Sequence, residues 1–181
     1  MASSSKTMNS RTGRDKQSEH PLSNQFGTAS HADRKSFPGY GSQGERLVAG
    51  LVPLSADKFY VLLVQSTRRG GWVLPKGGWE TDEATAQEAA VREGWEEAGV
   101  VVKINYDLGT IAKKRKSEQI TSDAPKASYH FFEATVERQE AQWPEMNKRK
   151  RTWMTFKQAE AALADRPELL EALKRCTMNR A

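Results

Sequence analysis

The sequence is poor in the residues that build disulfide frameworks and zinc sites. Its 181 residues include a single cysteine, Cys176, and three histidines scattered along the chain. One cysteine excludes an internal disulfide and is typical of a reducing compartment. No HExxH or CxxC spacing occurs. The sequence therefore gives no indication of a zinc site.

Long apolar runs are missing as well. No stretch approaches the roughly 18 apolar residues that a membrane-spanning helix needs. The first residues, MASSSKTMNSRTGRDKQSEH, lack the apolar centre of a secretory signal. We therefore expect no membrane partner and a location in the cytoplasm, with the nucleus as a second compartment.

Basic residues, by contrast, are in excess. Lys and Arg number 28 against 23 Asp and Glu, a formal net charge of +5. This charge indicates an anionic partner: nucleic acid, a phosphorylated small molecule or a membrane surface. Two basic runs, KKRK at 113–116 and KRKR at 148–151, carry part of the excess.

The chain divides into a tail and a domain. Residues 1–43 are rich in Ser, Gly, Arg, Lys and Asn without apolar periodicity, which predicts a disordered tail. Residues 44–181 contain strand-like apolar runs at 46–54, 59–65, 100–106 and 129–137. Between them lies a helical stretch with Thr81 or Asp82 as predicted N-cap and Gly99 at its exit, and helical sequence ends the chain. This order predicts an α/β or α+β layered domain.

The central helix concentrates carboxylates within the motif REGWEEAG. Its residues Glu93, Glu96 and Glu97 share one face of a helix, because positions three and four apart are neighbours there. A solvated acidic face is one interpretation. A site for Mg²⁺ or Mn²⁺ is the other, since every donor is an oxygen. The preceding PKGG, with Lys76, favours close approach to a phosphate. Gly94 within the helix indicates close approach of a backbone, a ligand or a packing partner.

The spacing from Gly78 through Arg92-Glu93, Glu96-Glu97 and Gly99-Val100 resembles the Nudix box. The resemblance implies a Nudix fold, a mixed β-sheet sandwiched between helices, and a pyrophosphate hydrolase that uses Mg²⁺. One position departs from the pattern: Ala84 stands where the family has a glutamate that supports the loop, and the adjacent Glu83 is a partial substitute.

Further stretches, among them RLVAGLVPL, WVLPKGGWETDE, NKRKRTW and RPELLEAL, resemble fungal diphosphoinositol polyphosphate phosphohydrolases. These enzymes also act on diadenosine penta- and hexaphosphate. The resemblance implies a monomer whose partner is a highly phosphorylated small molecule, with nucleic acid disfavoured as the main ligand. By the same resemblance, the run at 148–151 serves substrate phosphate. The run at 113–116 is interpreted from its own residues as a solvated loop.

The resemblance also implies roles for individual residues. Glu93, Glu97 and the carbonyl of Gly77 hold the metal, and Glu96 accepts the proton of the attacking water. The implied substrate-binding residues are Arg46, Ser66, Thr67, Arg68, Lys76, Lys126, His130, Arg149 and Arg166. His130 has a second interpretation as a packed histidine, since it lies among aromatic residues.

Two other functions stay open from the sequence. One is a different Nudix activity, such as mRNA decapping or hydrolysis of nucleotide sugars. The other is a non-catalytic module that binds inositol phosphates or RNA, which only the departure at Ala84 favours.

Overall fold

A mixed β-sheet forms the centre of the structure, a computed structural model that describes residues 38–114 and 125–181. These residues lie within one compact unit, residues 35–181. The elements in chain order are β1 (Arg46–Leu54), β2 (Val61–Gln65), β3 (Trp72–Val73), β4 (Lys76–Gly78), α1 (Ala86–Ala98), β5 (Val100–Lys113), β6 (Ala127–Gln139), β7 (Arg151–Met154), α2 (Phe156–Ala162) and α3 (Pro167–Arg175). Within the described ranges, no helix has the length and apolar character needed to cross a bilayer.

The sheet has seven strands, with the order β3-β2-β1-β6-β5 along its main path. β1 and β6 run parallel in register from Arg46 opposite Ala127 to Leu54 opposite Thr135. β4 pairs antiparallel with β1, and β7 pairs antiparallel with β2. Because β1 has neighbours on both edges and helices on both faces, its apolar run is almost entirely buried.

Alternation along the strands separates two apolar cores. Ala49 and Leu51 of β1 pack with alanines of α1 on one face of the sheet. Val52 and Leu54 belong to a larger core that includes residues of α2 and α3 on the other face. The predicted mixed sheet between helices is therefore confirmed.

Gly94 lies at the contact between α1 and the sheet. A Cβ at this position would meet the side chain of Leu51. The packing explanation for this glycine is therefore the one that the structure supports.

The ends of α1 agree with the prediction at one end only. Gly99 ends the helix in the left-handed conformation, with φ of 60°. The N-cap is Thr85, whose hydroxyl accepts the backbone N–H of Glu88, so the predicted caps Thr81 and Asp82 were wrong. The helix starts later than predicted because residues 80–84 form a separate turn, closed by the N–H of Glu83 and the carbonyl of Glu80.

The last residues of the predicted tail contact the domain. Gly39 donates its N–H to the carbonyl of Trp79, and Tyr40 forms a bridge with Arg46. The remainder of the predicted tail, residues 1–37, and residues 115–116 of the basic run at 113–116 lie outside the described residues.

Candidate functional site

A cleft of about 600 Å³ opens between α1, the hairpin that joins β2 to β3, and the start of α3. Its lining is dominated by charge. Six glutamates contribute: Glu80, Glu93, Glu96, Glu97, Glu145 and Glu168. Eight cationic side chains contribute: Arg46, Arg68, Arg69, Lys76, Arg92, Lys113, Arg149 and Arg166. The cleft thus joins a carboxylate cluster to a strongly cationic wall.

The three predicted glutamates of α1 all reach this cleft, but their environments differ. Glu93 and Glu97 are 8% and 6% exposed, whereas the side chain of Glu96 is 38% exposed. The spacing of four residues between Glu93 and Glu97 turns both toward the sheet. Glu96, one position earlier than Glu97, faces the open part of the cleft.

Arg92 connects the glutamates of the box to the loop before it. Its guanidinium binds Glu83 at 2.6 Å, Glu93 at 3.0 Å and Glu96 at 3.0 Å. It also donates to the carbonyl of Gly78 at 2.8 Å. Burial lowers the pKa of Arg92, but the hydrogen bonds of Glu83 and the neighbouring carboxylates raise it more, so the net shift is upward.

Glu83 also provides the support that the sequence lacks at Ala84. Its second oxygen accepts the N–H of Glu80 at 2.9 Å while both oxygens bind Arg92. An ion pair between Glu83 and Arg92 therefore connects the loop to α1. Its carboxylate comes from position 83, one residue before position 84, where the family has its glutamate. The predicted partial substitution agrees with this geometry.

Glu97 lies between two donors on different elements. It accepts the backbone N–H of Lys76 at 3.0 Å and pairs with Arg149 at 2.5 Å. Burial raises the pKa of Glu97, and these two partners offset the shift only in part. Burial also disfavours the charged form of Lys76, and for this cation it lowers the pKa.

Residues 75–78, PKGG, have a different role from the phosphate contact that the sequence predicted. Residues 76–78 form β4, paired with β1, and the N–H of Lys76 binds Glu97 instead of pointing at a ligand. A Cβ at Gly77 would overlap the carboxylate of Glu93, which would have to move away from the backbone. The glycine thus lets a carboxylate approach the backbone.

The residues present fit a hard divalent cation. Burial raises the pKa of Glu93 to about 7, with the charges of Glu97 and Glu96 adding to the shift against the effect of Arg92. Two buried carboxylates beside the backbone at Gly77 form an oxygen-only donor set, which suits Mg²⁺ or Mn²⁺ better than zinc. Within the described ranges, no three His, Cys, Asp or Glu side chains are grouped for a metal. Arg92 and Arg149 supply positive charge to these carboxylates.

The predicted residues of the first two strands and of the C-terminal part also line the cleft. These are Arg46, Ser66, Thr67, Arg68, Arg149 and Arg166. Arg166 donates to the carbonyl of Gly70 at 2.9 Å, and Arg149 donates to that of Gln65 at 2.9 Å. Both arginines therefore hold the β2–β3 hairpin in place as well as contributing charge.

Two predicted substrate contacts, Lys126 and His130, lie outside the cleft. Side chains alternate along β6, so Tyr129 faces the cleft and His130 faces the opposite side of the sheet. There His130 stacks on Phe132 and pairs with Asp107 at 2.7 Å. The interpretation of His130 as a packed histidine agrees with this position.

The sequence reasoning missed several residues of the cleft: Arg69, Lys113, Tyr129, Glu145 and Glu168. The period of two along β6 was a usable signal for Tyr129, since it assigns Tyr129 and His130 to opposite faces. Lys113 and Glu168 form an ion pair across 55 positions of sequence, and no local pattern indicates such a pair.

Comparison with known proteins shows which family has this sequence pattern and fold. The family model described as "NUDIX domain" matches residues 44–176. The chain is 38% identical over 126 residues to "Nudix hydrolase 21, chloroplastic" of Arabidopsis thaliana, covering 66% of this chain and 61% of the relative. The chain therefore spans about three fifths of that relative's length.

Solved structures share the fold. A "NUDIX hydrolase from Nitrosomonas europaea" superposes with a TM-score of 0.59 at 19% identity, covering 72% of this chain and 87% of the other. The "C. elegans Ap4A Hydrolase" gives a TM-score of 0.53 at 24% identity, covering 71% and 93%. At these identities the comparison concerns the fold alone.

Proposed function

This chain belongs to the Nudix family, and we propose that it is a divalent-metal-dependent hydrolase of diphosphoinositol polyphosphates that also cleaves diadenosine penta- and hexaphosphate. The products from the inositol substrate are inositol hexakisphosphate and inorganic phosphate. The placement among fungal diphosphoinositol polyphosphate phosphohydrolases is part of this proposal. Proteins of the Nudix family generally use a divalent metal ion.

The observation that carries the proposal is the charge arrangement of the cleft. Buried carboxylates of α1 occupy one wall, and cations from six other parts of the chain contribute to the rest. An inositol pyrophosphate carries roughly a dozen negative charges, and each gains from a nearby cation in a partly desolvated site. Arg92, Lys113 and Arg149 already pair with glutamates. A substrate with few phosphates would leave most of the other cations of the cleft without an anionic partner.

The chain's own residues divide the work of hydrolysis. Glu93, Glu97 and the carbonyl of Gly77 would hold the metal, which neutralises charge on the phosphate that reacts. Glu96, the most exposed of the three glutamates, accepts a proton from the attacking water. The new bond joins water oxygen to phosphorus as the bond from phosphorus to the bridging oxygen breaks.

The cationic wall orients the phosphates that do not react. Arg46, Arg68 and Arg166 lie on separate elements around the cleft, which suits phosphates distributed around a ring. Lys76 lies close to the carboxylates, and the charge of Glu97 favours its protonated form against the effect of burial. These positions support a ligand that extends across the cleft from the carboxylate cluster.

A substrate panel tests the proposal. The full chain is incubated with diphosphoinositol pentakisphosphate, diadenosine pentaphosphate, capped RNA and ADP-ribose, each with Mg²⁺ and then with Mn²⁺. We expect the highest kcat/KM on the inositol substrate. Higher kcat/KM on capped RNA or ADP-ribose would assign another Nudix activity and overturn the substrate class.

Absence of turnover on the whole panel would favour the non-catalytic alternative. The sequence feature behind that alternative was Ala84, and Glu83 now binds Arg92 in its place. Isothermal titration with inositol hexakisphosphate then distinguishes a binding module, which retains affinity, from a protein that does not recognise this ligand.

A further inference from the structure

Arg151, the first residue of β7, belongs to the basic run at 148–151 but does not line the cleft. Its guanidinium lies at the C-terminal end of α1. It donates to the carbonyls of Ala98 at 2.6 Å and Gly99 at 3.3 Å, and to that of Glu140 at 2.8 Å. The sequence had grouped this cation with those that serve substrate phosphate, and the structure places it elsewhere.

The charge of Arg151 is balanced without a carboxylate. Among the described residues it forms no ion pair, and burial lowers its pKa. The free carbonyls at the end of a helix carry partial negative charge, and a guanidinium there completes their hydrogen bonds. Its other face lies 4.0 Å from the ring centroid of Trp143, a favourable cation–π distance.

Residues 140–150, the segment between β6 and β7, are held against α1 by further contacts. We call this segment the clamp loop. Its Glu140 donates its N–H to the carbonyl of Gly99 at 2.8 Å, and its Glu145 donates its N–H to the carbonyl of Glu96 at 3.1 Å. Arg151 connects α1 to the clamp loop, since one of its nitrogens donates to the carbonyl of Ala98 and the other to the carbonyl of Glu140.

Arg151 and Trp143 pack so closely against Gly99, at the end of α1, that there is no space for a side chain at this position. A Cβ on Gly99 would lie 2.8 Å from a guanidinium nitrogen of Arg151 and 2.8 Å from the Cβ of Trp143. Gly99 therefore serves two purposes, since its positive φ also requires a residue that tolerates the left-handed region.

The clamp loop carries two groups of the cleft. Arg149 pairs with Glu97 at 2.5 Å and with Glu145 at 2.5 Å, so the loop sets the position of the cation beside Glu97. A displacement of the loop would move Arg149 and Glu145 together, because they are bound to each other.

We propose that Arg151 is a positioning residue for the carboxylate site: it fixes the clamp loop to the end of α1 and so keeps Arg149 and Glu145 beside Glu97. The consequence for metal and substrate rests on the proposed function. The structural link between Arg151 and the loop does not.

Hydrogen exchange of the full chain tests the structural link. The variants are Arg151→Met, which keeps an unbranched stem, Arg151→Lys, which keeps the charge, and Lys150→Met, an adjacent exposed cation whose side chain does not line the cleft. We expect amide exchange in peptides covering 140–149 to speed up about tenfold in Arg151→Met and less in Arg151→Lys. Lys150→Met should match the wild type.

Two exchange results would overturn the proposal. Unchanged exchange in 140–149 would show that the loop does not depend on Arg151. Equal acceleration in all peptides, including those of β1 and β6, would assign Arg151 to overall stability.

Metal binding and kinetics test the consequence at the site. Mn²⁺ binding is followed by electron paramagnetic resonance, which needs no turnover and so remains informative if the proposed substrate is wrong. We expect Arg151→Met to weaken Mn²⁺ binding and to raise KM for the substrate, each about fivefold or more, with Lys150→Met unchanged. A loss confined to kcat, in proportion to unfolded protein seen by circular dichroism, would contradict positioning.

Discussion

Within residues 38–114 and 125–181, carboxylates are buried in two places, and their partners differ. Glu133 on β6 is fully buried and accepts the N–H of Thr177 at 2.6 Å, its hydroxyl at 2.9 Å, and the ammonium of Lys58 at 3.2 Å. Burial alone would raise the pKa of Glu133, but these hydrogen bonds bring it below its usual value. In the cleft, burial raises the pKa of Glu93 to about 7, because its cationic partner Arg92 offsets the effect only in part.

The difference shows that burial decides the charge state of a carboxylate only where hydrogen-bond donors do not outweigh it. Donors that converge on Glu133 stabilise its ionised form, whereas at Glu93 burial outweighs Arg92 and the neighbouring carboxylates add to its effect. Glu133 ties the C-terminal residues to the sheet and serves the fold. In the cleft, the ionised forms of Glu93 and Glu97 are unfavourable in the absence of a bound cation. Carboxylates with raised pKa values are common at sites that bind a cation.

The largest expected effect is on kcat, and it concerns the carboxylates of the cleft and not Glu133. Glu97→Gln removes one charge and keeps the shape of the side chain. Because a bound metal contributes several kcal/mol to transition-state stabilisation, we expect kcat to fall about 10²–10³-fold. Urea denaturation should show little loss of stability, since burial of the Glu97 carboxylate opposes folding. Phosphate release above half the wild-type rate would contradict the assignment of this residue.

Next in size is the pH dependence of the metal-free protein. Glu93 holds its proton more tightly when folded, so its contribution to the free energy of unfolding falls as pH rises from about 4.5 through about 7, by on the order of 3 kcal/mol. Glu133 acts in the opposite direction, since its contribution is lost as pH falls below 4.5 through its lowered pKa.

Denaturation in EDTA from about pH 2 to pH 8 checks both directions. Glu93→Gln should reduce the fall above pH 4.5 and leave the contribution of Glu97, whose pKa burial also raises, together with the acid loss due to Glu133. If wild type and Glu93→Gln lose stability equally in this window, the unfavourable charge lies elsewhere.

A third prediction concerns Glu133→Gln. The substitution removes the charge that Thr177 and Lys58 bind, so we expect a loss of about 1.5–3 kcal/mol in the free energy of unfolding. Residual activity per folded molecule should equal that of the wild type, because Glu133 does not line the cleft. Glu137→Gln, an exposed change on the same strand, is the matched control and should stay within about 0.5 kcal/mol.

The smallest effect compares adjacent glycines. A Cβ at Gly77 would displace the Glu93 carboxylate, whereas one at Gly78 meets only a side-chain nitrogen of Arg46, at 3.4 Å, and Pro38. We expect Gly77→Ala to lower kcat/KM about tenfold, equivalent to about 1.4 kcal/mol, and Gly78→Ala to change it less than twofold. Equal effects of the two substitutions would mean that the approach of Glu93 to the backbone is not required.

Much of the carboxylate side of the cleft was predictable from local spacing. The interval of four residues between Glu93 and Glu97 places both on one face of any helix, and Gly99 marks the end of that helix whatever surrounds it. Gly78 and the REGWEEAG motif further indicated the family before the fold was known. These features depend on backbone geometry over a few residues.

The differences from the prediction lie where packing and side-chain contacts, not local spacing, decide the outcome. His130 was expected at the substrate because its neighbourhood matched, yet the pairing of β6 with β1 turns Tyr129 toward the cleft instead. A shift of one residue reverses every side chain of a strand, and the sequence of β6 alone does not state which face will be covered. The N-cap was misplaced because residues 80–84 form a separate turn, in which Glu83 binds both the N–H of Glu80 and Arg92. Composition does not reveal this turn.

The sequence by itself thus determined the helix, its carboxylates and the excess of positive charge. The tertiary structure decided which cations reach those carboxylates. Arg149 and Arg151 are two residues apart in one basic run, but one pairs with Glu97 in the cleft and the other binds the carbonyls at the end of α1. Their roles separate because a side chain's partners depend on the elements packed against it, and those elements come from distant parts of the chain.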